Sequence, residues 1–247
     1  MFISKMYYKN LPDKYPKLIP RKRFIRYYAD LYALEHGDEI TPISYMAGSQ
    51  YTYAELGKEV LSQCQKDSVF DNLDLMVVCY WSHEFDPDDF CGAYFCDLYN
   101  IYGKSFDICD QGLLSPITAL CIIKSYFEFS YIKNALLVCF DQTAIPIGKN
   151  FSGVLPNKTS SMAMLIEKFI SKDAKFKINS VNVLTKSEKD QASVNKDSMI
   201  YTKYNCAEIF QPFFNNQFGE LSKSKQFVLN VSDVASNDRG VISGEIL

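Results

Sequence analysis

The chain has 247 residues, of which 47% are hydrophobic and 22% charged, and this is an ordinary balance for a soluble globular protein with a sizeable core. The net charge of -3 gives no electrostatic reason to expect a nucleic acid or an anionic membrane as partner. The eight cysteines lie mostly in apolar runs and lack the spacing of metal ligands, which favours reduced thiols in a cytoplasmic protein. The start of the chain does not have the pattern of a signal peptide.

The first fifty residues are interrupted by prolines at positions 12, 16, 20 and 42. We expect mostly irregular chain there, with one amphipathic helix over residues 22–37. The segment QYTYAELGKEVLSQCQKD then predicts a helix with a firm start, because Thr52 and Glu55 have the spacing of a capping box. Its apolar residues recur on one face, which predicts that this face is buried.

Four apolar runs in the next hundred residues predict buried strands. They are NLDLMVVCYWS, SFDIC, KNALLVCFD and SMAMLIEKF. Between them, DPDDFCGAYFCDLYNIYG predicts a helix that stops at Gly103, and residues 116–130 predict a helix that is apolar almost all round and therefore buried. Ser115 is the expected N-cap of that helix, and Pro116 suits its first position.

The remaining chain gives weaker signals. KFKINSVNVLT alternates apolar and polar residues and predicts an exposed edge strand, and KSEKDQASVNKD predicts a solvated loop. YNCAEIFQPFFNNQF is a candidate helix, and KQFVLNVSDVASNDRGVISGEIL predicts a closing hairpin that turns near Asn237 and Asp238. The order of elements predicts a layered α/β fold with a mostly parallel sheet and helices on both faces.

The span from about Ile43 to Lys168 resembles the N-terminal half of thiolase-fold condensing enzymes of the β-ketoacyl-acyl-carrier-protein synthase III type. The resemblance rests on the order and spacing of YTYAELGKEVLSQC, NLDLMVVCYWSHEFDP, PDDFCGAYFCDLYNIYGKSFDI, ALCIIKSYFEFSYIKNALLVCFDQ and VLPNKTSSMAMLIEKF. It implies a thiolase-like fold with a reduced second half. The implied divisions are an N-terminal extension (1–42), a ketosynthase-like half (43–185) and a reduced C-terminal part with the closing hairpin (186–247).

The resemblance also locates a vestigial nucleophile position. Members of the family carry a cysteine in the pattern FD-x-x-x-x-C, and counting from Phe106 and Asp107 that position is Gly112 in this chain. Cys109 lies three residues earlier, on the strand side rather than at the helix start that lowers a thiol pKa. A shift of register would bring Asp110 or Gln111 to the position, and neither is a thiol.

The histidines depart from the family pattern as well. The condensing chemistry takes a histidine from the second half of the fold, whereas the two histidines of this chain, His36 and His83, both occur early. The resemblance therefore implies a non-catalytic ketosynthase-like subunit. It would pair with an active ketosynthase homologue in a heterodimer for fatty-acid, polyketide or related synthesis, as a chain length factor does, and shape the acyl pocket.

Family members pair across the strand before the nucleophile, so this strand is the expected interface. The interface and tunnel candidates are Lys104, Ser105, Phe106, Asp107, Ile108, Leu113, Phe85 and Phe90. For the complex, the resemblance implies a phosphopantetheine-linked acyl substrate and an acyl carrier protein as a further partner. We expect no cofactor, metal, nucleic acid or membrane to be bound by this chain.

Two other functions stay open. Cys109 could be the nucleophile of a stand-alone acyltransferase or thioesterase with His83 as its base, or it could be a small buried hydrophobic residue. The chain could also be a module that binds an acyl carrier protein. The negative net charge argues against this last function, because carrier proteins are acidic and prefer basic docking faces.

Overall fold

The computed structural model of the protein describes most of the chain. The described residues are 1–14, 26, 30, 49, 51–81, 91–109, 111–143, 156–184, 199–202, 205–215, 225–233 and 238–247. The helix predicted for residues 22–37 and the solvated loop after residue 185 therefore lie outside the described residues, apart from Arg26 and Asp30, which are helical.

Within these residues, nine strands form one sheet with the order β3-β2-β4-β5-β1-β6-β9-β8-β7. The strands are β1 (Phe2–Asn10), β2 (Leu75–Tyr80), β3 (Lys104–Ile108), β4 (Asn134–Asp141), β5 (Ser160–Glu167), β6 (Phe176–Leu184), β7 (Met199–Thr202), β8 (Gln226–Ser232) and β9 (Arg239–Ile246). The helices are α1 (Tyr53–Lys66), α2 (Cys91–Tyr99), α3 (Ser115–Phe129) and α4 (Gln211–Phe214).

The layered α/β class is confirmed, and the sheet is mixed. Three of its eight strand pairs are parallel, so the expectation of a mostly parallel sheet is wrong. The parallel pairs are β2·β3, β2·β4 and β7·β8. The antiparallel pairs β1·β5, β1·β6 and β6·β9 join strands that are distant in the chain, so the order of elements did not reveal their directions.

The sheet contains the same arrangement twice. In the first half, β2, β4, β5 and β1 lie side by side with one parallel and two antiparallel pairs. In the second half, β7, β8, β9 and β6 repeat this order and these directions. The halves meet where β1 pairs with β6 over two residues, Phe2 and Ile3. In the first half, β3 is a fifth strand that lies outside β2. In the second half, no described strand lies outside β7.

Two helices cover one face of the first half. Thr52 is the N-cap of α1. Its side chain accepts from the N–H of Glu55 while the Glu55 carboxylate accepts from the N–H of Thr52, so the predicted capping box is confirmed. The predicted apolar face of α1 is buried against β5, β1 and β4, and α2 lies beside it on β3 and β2. The continuous apolar run of β2 reflects its burial on both faces.

The helix α3 covers the other face and is the predicted buried helix. Ile117, Leu120, Ile123 and Phe127 pack against the sheet. Of the described segments, Gly112–Phe129 has the length and mean hydropathy (1.2) of a membrane-spanning helix, but 50% of it is buried, as in a core helix. Ser115 is the first residue of α3 rather than its N-cap, and its hydroxyl donates to the carbonyl of Gly112.

The second half buries one face of its strands under α4 and α3. Phe213 of α4 packs edge-to-face on Phe176 and Phe227, with ring centroids 5.0 and 5.1 Å apart. A Cβ at Gly240 would lie 2.7 Å from Ile117, so glycine lets β9 approach α3 closely. The predicted hairpin is confirmed by β8 and β9, and the candidate helix near residue 211 is reduced to a short turn and α4.

Two sequence predictions for strands are wrong. The alternating strand β6 does not lie at an edge of the sheet but between β1 and β9. Its alternation reflects one apolar face and one polar face, which an inner strand can have as well as an edge strand. The first residues are not irregular, since β1 lies in the middle of the sheet between β5 and β6. The three domain divisions stay a prediction.

Candidate functional site

The position expected for a nucleophile lies between the end of β3 and the start of α3. Gly112 opens a short 3-10 turn there with a φ of +51°, a conformation that favours glycine. A Cβ at this position would lie 2.7 Å from Oδ2 of Asp233, which follows β8. The geometry therefore leaves no room for a side chain at position 112 unless Asp233 moves.

The second half places a thiol directly against this position. Cys206 is fully buried, and its Sγ donates to the carbonyl oxygen of Gly112 over 3.1 Å. Burial raises the pKa of this thiol well above its usual value, and the nearby carboxyl of Asp141 raises it further. Cys206 is therefore a protonated thiol at neutral pH and a poor nucleophile.

Asp141, the last residue of β4, joins the two halves of the fold at this site. Its carboxylate accepts from the backbone N–H groups of Cys206 and Ala207, each over 2.7 Å, and from the hydroxyl of Ser160 over 3.2 Å. Burial raises the pKa of Asp141 to about 7, although these three hydrogen bonds favour the charged form. Within the described part of the chain, no salt bridge reaches it.

Two more buried thiols lie on the strands beside Asp141. Cys79 and Cys139 are register partners on the parallel strands β2 and β4. Burial raises the pKa of Cys139 well above its usual value. The Cys79 thiol donates to the carbonyl of Ser115 over 3.7 Å. Among the described residues, no group of three or more histidine, cysteine or acidic side chains could hold a metal ion.

Cys109, the other candidate nucleophile, belongs to the opposite side of the sheet. It is half-buried and packs against the apolar cluster under α1 and α2, whereas Gly112 leads into α3 on the other face. His83, Asp110, Phe85 and Phe90 lie outside the described residues. Gln111 is exposed and accepts from the hydroxyl of Thr118, and Leu113 is buried.

Among the described residues, the predicted interface strand β3 lies at one edge of the sheet, and β7 lies at the other. Ser105 and Asp107 point toward α2, where Asp107 accepts from the Tyr80 hydroxyl. Phe106 points toward α3 and lies 6.3 Å from the Tyr126 ring, between centroids. The N–H of Lys104 bonds to Asp74 beside β2, so the N–H groups of the alternate residues 105 and 107 face away from β2.

Sequence reasoning missed the residues that complete the site from elsewhere in the chain. Asp141, Cys206 and Asp233 come from separate segments, and no local pattern links them. The one available signal was Asp141 itself, a carboxylate at the end of an otherwise apolar buried strand, since such a group needs hydrogen-bond partners.

No known protein family matches the sequence, and no curated protein sequence matches it. Solved structures do match across the whole fold. AbyA1, a tetronic acid condensing enzyme, has a TM-score of 0.64 at 10% identity, over 99% of this chain and 100% of that chain. The acyltransferase ChlB3 has a TM-score of 0.62 at 10% identity, over 100% and 97%.

A variant of OleA from Xanthomonas campestris, solved with cerulenin bound, has a TM-score of 0.65 at 9% identity, over 99% of this chain and 97% of that chain. At such low identity the likeness concerns the fold alone. The resemblance to thiolase-fold condensing enzymes is confirmed at that level.

Proposed function

We propose that this protein is a non-catalytic ketosynthase-like subunit that pairs with an active ketosynthase homologue in a condensing complex. The proposal rests on the residue that occupies the expected nucleophile position before α3. Gly112 occupies it in a left-handed conformation, and Asp233 fills the space that a side chain would need. The neighbouring thiol of Cys206 is buried and has a raised pKa.

The shared fold supports the condensing context. The fold of a tetronic acid condensing enzyme and that of OleA match this fold over nearly the whole chain. This likeness favours a role in a condensing reaction. A chain that has the layered fold but lacks an activated thiol at the described site would contribute by binding the catalytic partner through its surface. It would complete the acyl pocket of the catalytic partner, which would accept its acyl groups from an acyl carrier protein.

The outer strand β3 offers the surface for such a partner. Its outward N–H and C=O groups at residues 105 and 107 can pair with a strand of another subunit. Beside it, the outer side of α3 presents a shallow apolar groove lined by Ile122, Tyr126 and Phe129. A strand edge with an apolar helix beside it suits a stable subunit interface.

The first test is co-expression with a catalytic ketosynthase encoded next to this gene, followed by size-exclusion chromatography with mass determination. The proposal expects a one-to-one complex. Ser105→Pro removes an outward N–H of an edge strand, and Ile122→Lys places a charge beside it, so each should weaken the complex at least about tenfold. Val183→Lys, at the end of β6, is the matched control and should leave the complex intact.

The proposal would be wrong if the chain were stable alone, did not bind the ketosynthase and had its Cys109 acylated by an acyl thioester. That result would support a stand-alone acyltransferase or thioesterase. A chain that binds only an acyl carrier protein would instead support the carrier-binding module.

A further inference from the structure

Two exposed tyrosines flank a groove at the end of the sheet where β3 and β4 begin. Tyr102, in the turn before β3, is 96% exposed, and Tyr131, in the turn before β4, is 80% exposed. The groove between them has a volume of about 660 Å³. Aromatic side chains this exposed on either side of a groove indicate a surface that a partner covers. We call this surface the basal groove and define it by Tyr102, Tyr131, Asp71, Asp74, Lys104 and Lys133.

The charges of the basal groove cancel. The described charged residues that line it are the two aspartates, Asp71 and Asp74, and the two lysines, Lys104 and Lys133. The Asp74 carboxylate accepts from the backbone N–H groups of Lys133 and Asn134 over 2.8 and 3.0 Å, so the backbone holds it in place. A concave surface with aromatic walls and no net charge suits a protein segment better than a nucleic acid or an anionic membrane.

The basal groove adjoins both surfaces proposed above for the ketosynthase partner. Lys104 lines the groove and is also the first residue of β3. Its ammonium group lies 5.8 Å from the ring centroid of Tyr126, which lines the apolar groove on α3. Phe129 lines the same apolar groove, is 86% exposed and precedes Tyr131 by two residues. The edge strand, the α3 groove and the basal groove therefore form one continuous surface.

The direction of strand pairing determines which part of a partner meets the basal groove. Two subunits of one fold that pair through the same edge strand are related by a pseudo-two-fold axis, and this axis makes the two strands antiparallel. Residues 105 and 107 face outward. In the register that pairs residue 105 with the counterpart of residue 107, Tyr102 lies opposite the counterpart of position 110. That position comes two residues before the counterpart of Gly112, where the catalytic partner carries its nucleophile.

We propose that the segment between the catalytic partner's edge strand and its nucleophile packs into the basal groove, against Tyr102 and Tyr131. The inference rests on the proposed function and deepens it, because it identifies the part of the ketosynthase that this surface covers. The pseudo-two-fold axis keeps the α3 helices of both subunits on one face of the joined sheet. The partner's segment therefore runs from beside Tyr102 toward the face on which α3 ends at Phe129. Tyrosine rings give a large contact area at a low entropic cost, which suits them to the centre of such a contact.

The first test measures the affinity of the chain for the ketosynthase with which it is co-expressed. Tyr102→Ser with Tyr131→Ser should raise the Kd of the complex at least about tenfold, because two aromatic contacts are lost. The matched control, Phe169→Ser with Ile170→Ser, removes two exposed apolar side chains that follow β5, three strands or about 14 Å away from β3. It should leave the Kd within about twofold. All four side chains are at least 62% exposed, so neither variant should disturb the core.

A second test identifies the partner's segment directly. A p-benzoylphenylalanine residue in place of Tyr102 should crosslink, on irradiation of the complex, to the ketosynthase peptide that precedes the nucleophilic cysteine. Peptide mass spectrometry would report the crosslinked site. The same residue in place of Phe169 should give no crosslink to that peptide.

The inference would be overturned if the wild-type complex formed and the tyrosine variant bound the ketosynthase as tightly as the control variant. A crosslink from position 102 to a different part of the ketosynthase would overturn it as well. Failure of the proposed function gives a different result, because the wild-type chain would then form no complex with the ketosynthase.

Discussion

The buried carboxyl of Asp141 should make the protein less stable as the pH rises toward neutrality. Burial raises its pKa to about 7, whereas an aspartate in an unfolded chain titrates near ~4. Between these values the folded state holds a proton that the unfolded state has lost, so each upward step in pH favours unfolding. The neutral form also fits the site, because a protonated Oδ2 can donate to the Ser160 hydroxyl and still accept from Ala207.

The size of the effect follows from the shift in pKa. Raising the pKa from ~4 to about 7 corresponds to about 4 kcal/mol across the whole interval, and about 2 kcal/mol of this falls between pH ~5 and pH ~7. Asp141→Asn removes the titration. The amide has one acceptor oxygen for the two backbone N–H groups of Cys206 and Ala207, so this variant should lose about 1–3 kcal/mol at pH ~5.

The assay is urea unfolding of both proteins at several pH values between ~5 and ~8. The wild type should lose stability over this range relative to Asp141→Asn, and the gap between them should close. Other groups also titrate, for example the Met1 amino group, whose pKa is lowered by burial and acts in the opposite direction. Such groups cancel in the comparison between variants. Asp173→Asn, at an exposed aspartate, is the control for loss of one charge.

The reasoning would be refuted if Asp141→Asn kept the same dependence on pH as the wild type. A wild type that gained stability relative to the variant on going from pH ~5 to pH ~7 would refute it as well, because the sign would then be that of a carboxylate with a lowered pKa.

Three further predictions concern the site and the helix α1. Gly112→Ala should cost about 1–2 kcal/mol in urea unfolding, because the left-handed φ and the contact with Asp233 both oppose a side chain, and an unchanged midpoint would contradict this. Native Cys139 and Cys206 should resist iodoacetamide at neutral pH and react after unfolding, as peptide mass spectrometry would report; labelling of the native thiols would contradict their burial. Thr52→Ala should lower the melting temperature through the loss of about 1 kcal/mol of helix capping, whereas Thr52→Ser should retain it.

The elements that the sequence predicts well are those whose signal is local. The α1 helix carries both its capping box and its apolar stripe within its own residues, and the buried run of β2 is visible in six consecutive apolar or aromatic residues. The strand β1 was missed because lysines at positions 5 and 9 interrupt its apolar residues, and its place in the sheet depends on pairing with residues 160–167.

Of the candidate site, only the position of Gly112 was predictable from the sequence. The resemblance located Gly112, and the structure puts it at the turn before α3. The contacts that define its chemistry are made by Cys206 and Asp233, which are more than ninety residues away in sequence. Such pairings are set by tertiary packing, and neither residue belongs to a local motif that would place it there.

The place of β1 in the sheet also has a consequence for how the chain folds. β1 is made before its partners β5 and β6, so it stays without partners until residues 160–177 have left the ribosome. Contacts this distant in sequence slow folding and leave apolar strand edges open to aggregation in the meantime. The nascent chain would therefore benefit from a chaperone on residues 2–10, and fragments that end before β5 should accumulate as insoluble protein.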